Sequence, residues 1–297
     1  MKTNRILVLG ANGMLGGSIF RFFSKAEGFE TLGTVRSDKA KKLIESLGFA
    51  NVQSGVDALN ELELAQVIRS FQPSVVINCV GIIKQLDTSN DPELSVRINS
   101  LLPHVLAKYC TEANAKLIHF STDCVFSGDK GNYVEDDLPD ASDLYGRSKL
   151  LGEVGYANHL TIRTSIIGHE INSKVSLVDW FLSQNGGVRG FSKAVFSGLP
   201  TIVVADILKH IILHNLSLSG LYHLSAAPIN KFELLSLIAS EYGKSIEIEE
   251  DTSYVVDKSL DSNKLKGQLP LLRIKSWPQL VKEMHSEYLE FFSKRST

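Results

Sequence analysis

The sequence predicts an α/β fold, a doubly wound parallel sheet with a small C-terminal α/β lobe. Three observations carry this. Short apolar runs alternate with amphipathic stretches through the first half, a glycine-rich turn follows the first apolar run directly, and the second half loses the regular alternation. Residues 6–9, 31–35, 75–77 and 117–120 fit buried strands, and residues 15–23, 40–47, 62–70 and 94–110 have helical spacing between them. Strands alternating with helices make right-handed crossovers, hence a parallel sheet covered on both faces. Pro103 has no amide hydrogen and should kink or divide the fourth helical stretch near Asn99. Residues 160–164 read as a sixth strand, 202–213 as a helix, 221–224 as a strand, 231–242 as a helix and 246–250 as a short strand. Ligands of open α/β sheets bind outside the carboxyl ends of the strands, so any chemistry belongs between sheet and lobe.

Composition narrows the function classes. The 297 residues carry 31 Lys+Arg against 33 Asp+Glu, a net charge of −2, which provides no basic stripe for a nucleic acid. Three cysteines (Cys79, Cys110, Cys124) make no disulfide framework and fit a reducing, cytoplasmic setting. The apolar run of the leading segment is four residues long and ends in glycine, unlike a signal peptide. No stretch approaches the ~18 apolar residues of a membrane span. The histidines lack metal-ligand spacing to cysteine or carboxylate, so no metal is expected.

The turn after the first strand is Gly10-Ala11-Asn12-Gly13-Met14-Leu15-Gly16, opening directly into a helix. Glycines in that G-x-x-G-x-x-G spacing allow a tight turn, close backbone approach to a pyrophosphate and close packing of helix on strand. The helix N-terminus then offers unpaired N–H groups to the anion. Gly10, Asn12, Gly13, Met14, Leu15 and Gly16 are therefore candidate dinucleotide contacts. The second strand ends in Arg36-Ser37, a cation and a hydroxyl where an NAD site usually has a carboxylate; this favours NADP(H) over NAD(H), with Asp38 as the alternative ribose partner. Further on, Tyr145 and Lys149 stand at i and i+4 of one helical face. An ammonium near the phenol lowers its pKa toward neutrality, making it a general acid or base for a carbonyl/alcohol pair. The fifth strand ends Ser121-Thr122-Asp123, which puts hydroxyls where they can hold a substrate oxygen.

The glycine pattern, a strand ending in Ser-Thr-Asp, and Tyr145-Gly146-Arg147-Ser148-Lys149 some two dozen residues later resemble an extended short-chain dehydrogenase/reductase. The nearest branch is the RmlD-like (dTDP-4-dehydrorhamnose reductase) group of nucleotide-sugar enzymes. The segments around Val76–Gly81, Asn99–Pro103, Ile162–Ser165, Gly198–Thr201 and Leu260–Leu265 are similar to further segments of that group. The resemblance implies a Rossmann-type NADP-binding domain of residues 1–167 and about 201–227, and a discontinuous substrate lobe of about 168–200 and 228–297. It implies Thr122 as carbonyl hydrogen-bond donor, with Ser121 the alternative, Tyr145 as proton donor, and Lys149 holding the nicotinamide ribose and tuning Tyr145. Cys79, Val80, Gly81 and Asn99 would line the cofactor, and Asp57 would sit beside the adenine or simply close a solvated turn. Asp123, Cys124, Ile166, Pro200 and Thr201 would face the substrate. Lys84, Arg189 and Lys193 are candidate cations for its diphosphate. A homodimer is compatible with the group.

Two departures bear on the substrate. The group usually has tyrosine after Ser-Thr-Asp and an aromatic residue after Arg-Thr-Ser, where this chain has Cys124 and Ile166. This points to a nucleotide-linked 4-keto-6-deoxyhexose other than dTDP-4-dehydrorhamnose, or to a UDP-linked sugar. Cys124 and His169 also resemble the cysteine and histidine of GDP-fucose synthases, which epimerise before reducing, so this pair is the candidate epimerisation acid and base. The rival from another class is a dinucleotide-binding subunit without chemistry of its own. Trp180 and Phe181 read as packing within the lobe.

Overall fold

The computed structural model describes residues 3–83, 90–171 and 175–293. It opens with β1 (Asn4–Leu9), α1 (Met14–Lys25), β2 (Phe29–Thr34), α2 (Asp38–Glu45), β3 (Val52–Gln53), α3 (Glu61–Phe71) and β4 (Val75–Asn78). Helices α4 (Pro92–Ser95) and α5 (Leu102–Glu112), then β5 (Lys116–Ser121), α6 (Leu144–Leu151) and β6 (Leu160–Arg163) follow. The chain then leaves the central sheet through β7 (Ile166–Ile167), α7 (Leu177–Ser183), β8 (Val188–Phe191), β9 (Ala194–Phe196) and β10 (Leu199–Pro200). Helix α8 (Thr201–His214) and β11 (Gly220–His223) return to it. Last come β12 (Ile229–Asn230), α9 (Lys231–Glu241), β13 (Ile248–Asp251), β14 (Val256–Asp257), α10 (Asn263–Gln268) and α11 (Trp277–Phe291).

The central sheet has seven parallel strands in the order β11-β6-β5-β4-β1-β2-β3. Chain direction across the sheet reverses between β1 and β4, so the crevice at their carboxyl ends is the topological switch point. Period-two alternation sends Ile6 and Val8 to one face, against Ile19, Phe20 and Phe23 of α1 and Leu208 of α8. It sends Leu7 and Leu9 to the other, against Leu64 and Ile68 of α3 and Leu106 of α5. The first cluster runs without a break into Phe196, Leu234, Ile238, Leu280 and Met284 beyond the sheet, so the two parts of the chain share one core. Small sheets β12-β9-β14, β13-β8 and β10-β7 frame that second part.

Residues 94–110 are not one helix. A π-helical turn, Val96–Leu101, separates α4 from α5 and contains Asn99. The cause is Pro103, which cannot donate to the carbonyl four residues back, that of Asn99. The end of α6 fills the space so tightly that a Cβ on Gly152 would lie 1.9 Å from the Asn99 carbonyl oxygen. Phe181 is buried, as expected, but Trp180 is 39% exposed and looks outward from α7.

Candidate active site

The cradle follows β1 directly. Gly10 has φ +80°, and a Cβ on Gly16 would lie 2.2 Å from the Gly10 carbonyl oxygen and 3.1 Å from the Cys79 Cβ. Glycine at 16 is thus what allows α1 to seat on β1 and β4. The N-cap of α1 is Gly13, which is exposed, and no side chain caps the helix. With Asn12 and Met14 half-exposed beside it, the first turn keeps amides free for an anion. Leu15 is buried and anchors the turn from beneath. These features fit a dinucleotide pyrophosphate.

At the end of β2, Arg36 is exposed. The Ser37 hydroxyl caps α2 by accepting from the Ala40 amide at 3.3 Å, and the Asp38 carboxylate accepts from Ser54 Oγ at 2.5 Å. Asp57 closes its own turn, accepting from the Leu59 amide at 3.0 Å. On the other side of the crevice, Cys79 bonds to Leu9 through its amide (3.1 Å), and burial pushes its thiol well above the ordinary range. Val80 donates its amide to Asn78 Oδ1 at 3.1 Å. Asn99 accepts from the Ile82 amide (2.9 Å) and donates to the Ser148 hydroxyl (3.2 Å), tying the segment after β4 to α6. A Cβ on Gly81 would lie 3.4 Å from Asn99 Oδ1 and 3.9 Å from Lys149 Nζ, so these three groups meet at one point.

Helix α6 is capped by Asp143, which accepts from the Gly146 amide at 2.7 Å. Its first turn packs against the turn after β5, with a Gly146 Cβ position 2.2 Å from the Cys124 carbonyl oxygen. That contact brings Tyr145 to Thr122. The buried Thr122 donates to Asp123 Oδ1 (3.1 Å) and accepts from the Cys124 amide (3.1 Å). The Thr122 hydroxyl also lies within hydrogen-bonding reach of Tyr145, and turning its single proton from Asp123 to the phenol oxygen eases ionisation of the phenol. Ser121 is engaged elsewhere: its hydroxyl donates to Glu153 Oε1 at 2.7 Å, and the Glu153 carboxylate is itself held by Arg163 at 2.7 and 2.8 Å.

Burial is the largest influence on both members of the expected Tyr145–Lys149 pair. Burial, with Cys124, Asp123 and Asp143 nearby, raises the phenol well above its ordinary value. Lys149 donates to the Phe120 carbonyl at 2.6 Å, and burial pulls its pKa from 10.5 to about 8, against the opposing pull of Glu153 and Cys79. Each group loses water on folding, and that loss disfavours its charged form.

The two halves of the candidate epimerisation pair differ. Cys124 lies in the turn beside Tyr145. His169 is 3% exposed, with Nδ1 bonded to Asp179 Oδ1 (2.5 Å) and Nε2 to the Tyr242 hydroxyl (2.8 Å), among the rings of Tyr288 and Phe292. Both ring nitrogens serve packing of α7, α9 and α11. Pro200 and Thr201 are buried at the start of α8, and a Cβ on Gly168 would come within 2.6 Å of Thr201 Oγ1 and 3.5 Å of Met14 Cγ. That segment therefore abuts the cradle. Ile166 is half-buried and pairs with Leu199. Arg189 is exposed and bonds Asp251 at 3.1 Å, and Lys193 is exposed. Lys84 lies outside the described residues.

Two residues at this site escape the sequence reading. Lys231 and Lys258, from separate segments, both face Asp123 and hold down the carboxyl that burial raises. Among the described residues no cluster of His, Cys, Asp and Glu could hold a metal ion, and no helix is long and apolar enough to cross a membrane.

A switch-point crevice with a glycine cradle on one wall and a Thr-Tyr-Lys set on the other places the chain among Rossmann-type proteins of the extended short-chain dehydrogenase/reductase kind. More particularly, it belongs to the RmlD substrate binding domain family, which matches residues 4–264. Among relatives, methionine adenosyltransferase 2 subunit beta of Xenopus tropicalis is 26% identical over 262 residues, 80% of this chain and 72% of that one. A probable low-salt glycan biosynthesis reductase, Agl14 of Haloferax volcanii, is 31% identical over 147 residues, 49% of this chain and 46% of that one. The fold is similar to dTDP-4-dehydrorhamnose reductase of Bacillus anthracis in complex with NADP (TM-score 0.79, 22% identity, 96% of this chain and 99% of that one). It is also similar to Bordetella bronchiseptica WbmG in complex with NAD and UDP (TM-score 0.78, 16% identity, 97% and 96%).

Proposed function

We propose that the chain is an NADP(H)-dependent reductase of a nucleotide-linked 4-keto-6-deoxyhexose. The observation that carries this is the meeting of Thr122, Tyr145 and Lys149 at the carboxyl ends of β4 and β5, across from the uncapped start of α1. A bound nicotinamide supplies the hydride. The chain's part is to hold the ketone oxygen with Thr122, to give it the Tyr145 proton as it becomes a hydroxyl, and to keep the Lys149 charge near the phenol's environment. A high phenol pKa suits a group that must carry its proton until the oxygen demands it. The part built from β7–β10 and residues beyond 228 serves as the substrate lobe. The test is NADPH oxidation, followed at 340 nm, on addition of 4-keto sugar nucleotides; dinucleotide binding with no consumption across the panel would remove the reading.

The preference for NADP(H) rests on Arg36, exposed at the end of β2, with Asp38 already committed to Ser54. Arg36→Ala is expected to weaken NADPH binding by about 10-fold or more, the worth of a charge-assisted hydrogen bond, and to leave NADH unchanged in a fluorescence titration.

Lys149 sets a pH limit. Its charge is lost as pH rises through about 8, so kcat/KM for reduction is expected to fall above that point. Unfolding through this group would not produce the loss. A cation whose pKa drops from 10.5 to about 8 on folding makes the folded state more stable as pH rises between those values. A thermal melt at each pH separates the two.

A subunit without chemistry is the second reading, supported by the relatives named as a subunit of another enzyme. Retention of both Tyr145 and Lys149 favours the reductase. Epimerisation by Cys124 and His169 has less support, because both ring nitrogens of His169 are already bonded.

A further inference from the structure

Strand β9 is the middle of the three-stranded sheet β12-β9-β14. Lys231 follows β12 and starts α9, whose first turn is capped by Asn230 accepting from the Glu233 amide at 2.9 Å. Lys258 follows β14, its amide bonded to the Val195 carbonyl at 3.0 Å. One small sheet thus delivers two ammonium groups, from both flanks of β9, to the single carboxylate of Asp123.

Lys231 is the more confined of the two. Its Nζ lies 3.7 Å from the centre of the Phe196 ring, close enough for a cation–π contact. It faces Asp123 and Cys124, and burial lowers its pKa from 10.5 to about 8 against their pull. Among the described residues the Lys231 ammonium donates no hydrogen bond, and the Lys258 ammonium donates none either. An ammonium held only by a ring face and a through-space attraction keeps its hydrogens for an acceptor that enters the crevice. Asp123 also has a donor of its own in the Thr122 hydroxyl. Two lysines are therefore more cation than this carboxylate needs, and Cys124 next to Asp123 borders Tyr145.

We infer that Lys231 is the residue through which the lobe recognises the sugar, its ammonium donating to a hydroxyl oxygen beside the carbon that is reduced. This rests on the reductase reading and deepens it. The acceptor takes hydrogens that the chain leaves unused, and the Phe196 ring fixes the direction from which the sugar approaches. Lys231 selects among sugars; it takes no part in binding the dinucleotide or in proton transfer from Tyr145.

The experiment is calorimetric titration of dTDP-glucose, UDP-glucose and UDP-glucuronate, of dTDP and UDP alone, and of NADPH, into the wild type, Lys231→Met and Lys231→Arg. For whichever sugar nucleotides the wild type binds, Lys231→Met is expected to weaken binding by about 10- to 100-fold, in line with a hydrogen bond to a charged donor. Binding of the bare nucleoside diphosphates and NADPH stays unchanged, and Lys231→Arg recovers most of the affinity. Equal losses across the sugar nucleotides identify a hydroxyl and support the assignment; a larger loss for the uronate would make the acceptor a carboxylate, which a 6-deoxyhexose lacks, and would overturn it. Equal weakening of the bare diphosphates would move Lys231 to the diphosphate, and an unchanged affinity for all ligands would reduce it to a counter-ion of Asp123; either result overturns the inference. Unchanged NADPH affinity shows that Lys231→Met is folded. Wild type that binds NADPH but none of the sugar nucleotides overturns the reductase reading itself, and the inference with it.

Discussion

Tyr145→Phe is expected to lower the rate of sugar-dependent NADPH oxidation by about a thousandfold, within the range that positioned proton donors contribute. NADPH affinity should change by less than a few-fold. The phenol ring stays as filler of the half-buried pocket against the turn after β5; only the hydroxyl, bonded to Thr122, is removed. The amides at the start of α1 and the exposed Arg36 are untouched by the change. Stopped assays with each variant at saturating NADPH separate chemistry from binding. Near-normal turnover in Tyr145→Phe would show that protonation of the substrate oxygen comes from elsewhere, and the proposed reaction would fail.

The second large effect is on stability. Glu287→Ala in α11 is expected to destabilise the fold by about 3–5 kcal/mol, the typical cost of removing one partner of a buried ion pair. Glu287 Oε1 accepts from Arg21 Nη2 at 2.7 Å and from Ser18 Oγ at 2.8 Å, and both side chains of the ion pair are 3% exposed. Arg21 is already short of partners, since its Nε and Nη1 have no acceptor among the described residues and its guanidinium rests 5.1 Å from the Phe291 and Phe292 rings. Removing the carboxylate leaves a buried charge with nothing opposite it. At about 2–4 °C per kcal/mol for chains of somewhat smaller size, Tm should fall by ~10 °C. The double variant Arg21→Met/Glu287→Leu should recover much of this, because replacing both charges by apolar groups removes the desolvation cost along with the attraction. A Glu287→Ala melt within 2 °C of wild type would mean that solvent reaches Arg21.

Much of this architecture is legible in the residues. The first six strands of the central sheet, apart from two-residue β3, announce themselves as apolar runs, and α1 as the helix behind three glycines. Pro103 marks the break that the π-helical turn realises, because a missing amide has only one consequence for the carbonyl four residues earlier. The second part is less readable for a physical reason. Strands of two to four residues such as β9, β10, β12 and β14 are too short to show a period, and their pairings join residues far apart in sequence. Helix α11 did carry a signal, Ser276 with Gln279 three residues on and Pro278 between them, the pattern of a capping box.

At the site, residue types are legible and electrostatics are not. The spacing of Tyr145 and Lys149 places them on one helical face, but the burial that is the largest influence on each is set by tertiary packing. Lys231 reads in sequence as an ordinary first residue of an amphipathic helix. Only the pairing of β12 with β9 sets it above the Phe196 ring and opposite Asp123. His169, conversely, has a suggestive neighbourhood in sequence and a packing duty in three dimensions.

The unbroken apolar interior that joins Ile6 and Val8 to Phe196, Leu234 and Met284 has an evolutionary corollary. A lobe with a separate interior could be traded between relatives as a cassette, new specificity arriving in one step. Here a graft would cut through side chains that interlock across the junction, so, on the proposed function, a change of sugar would come by point replacements at the rim, at proposed sugar-facing positions such as Cys124, Ile166 and Lys231, while the supporting mass stays as it is.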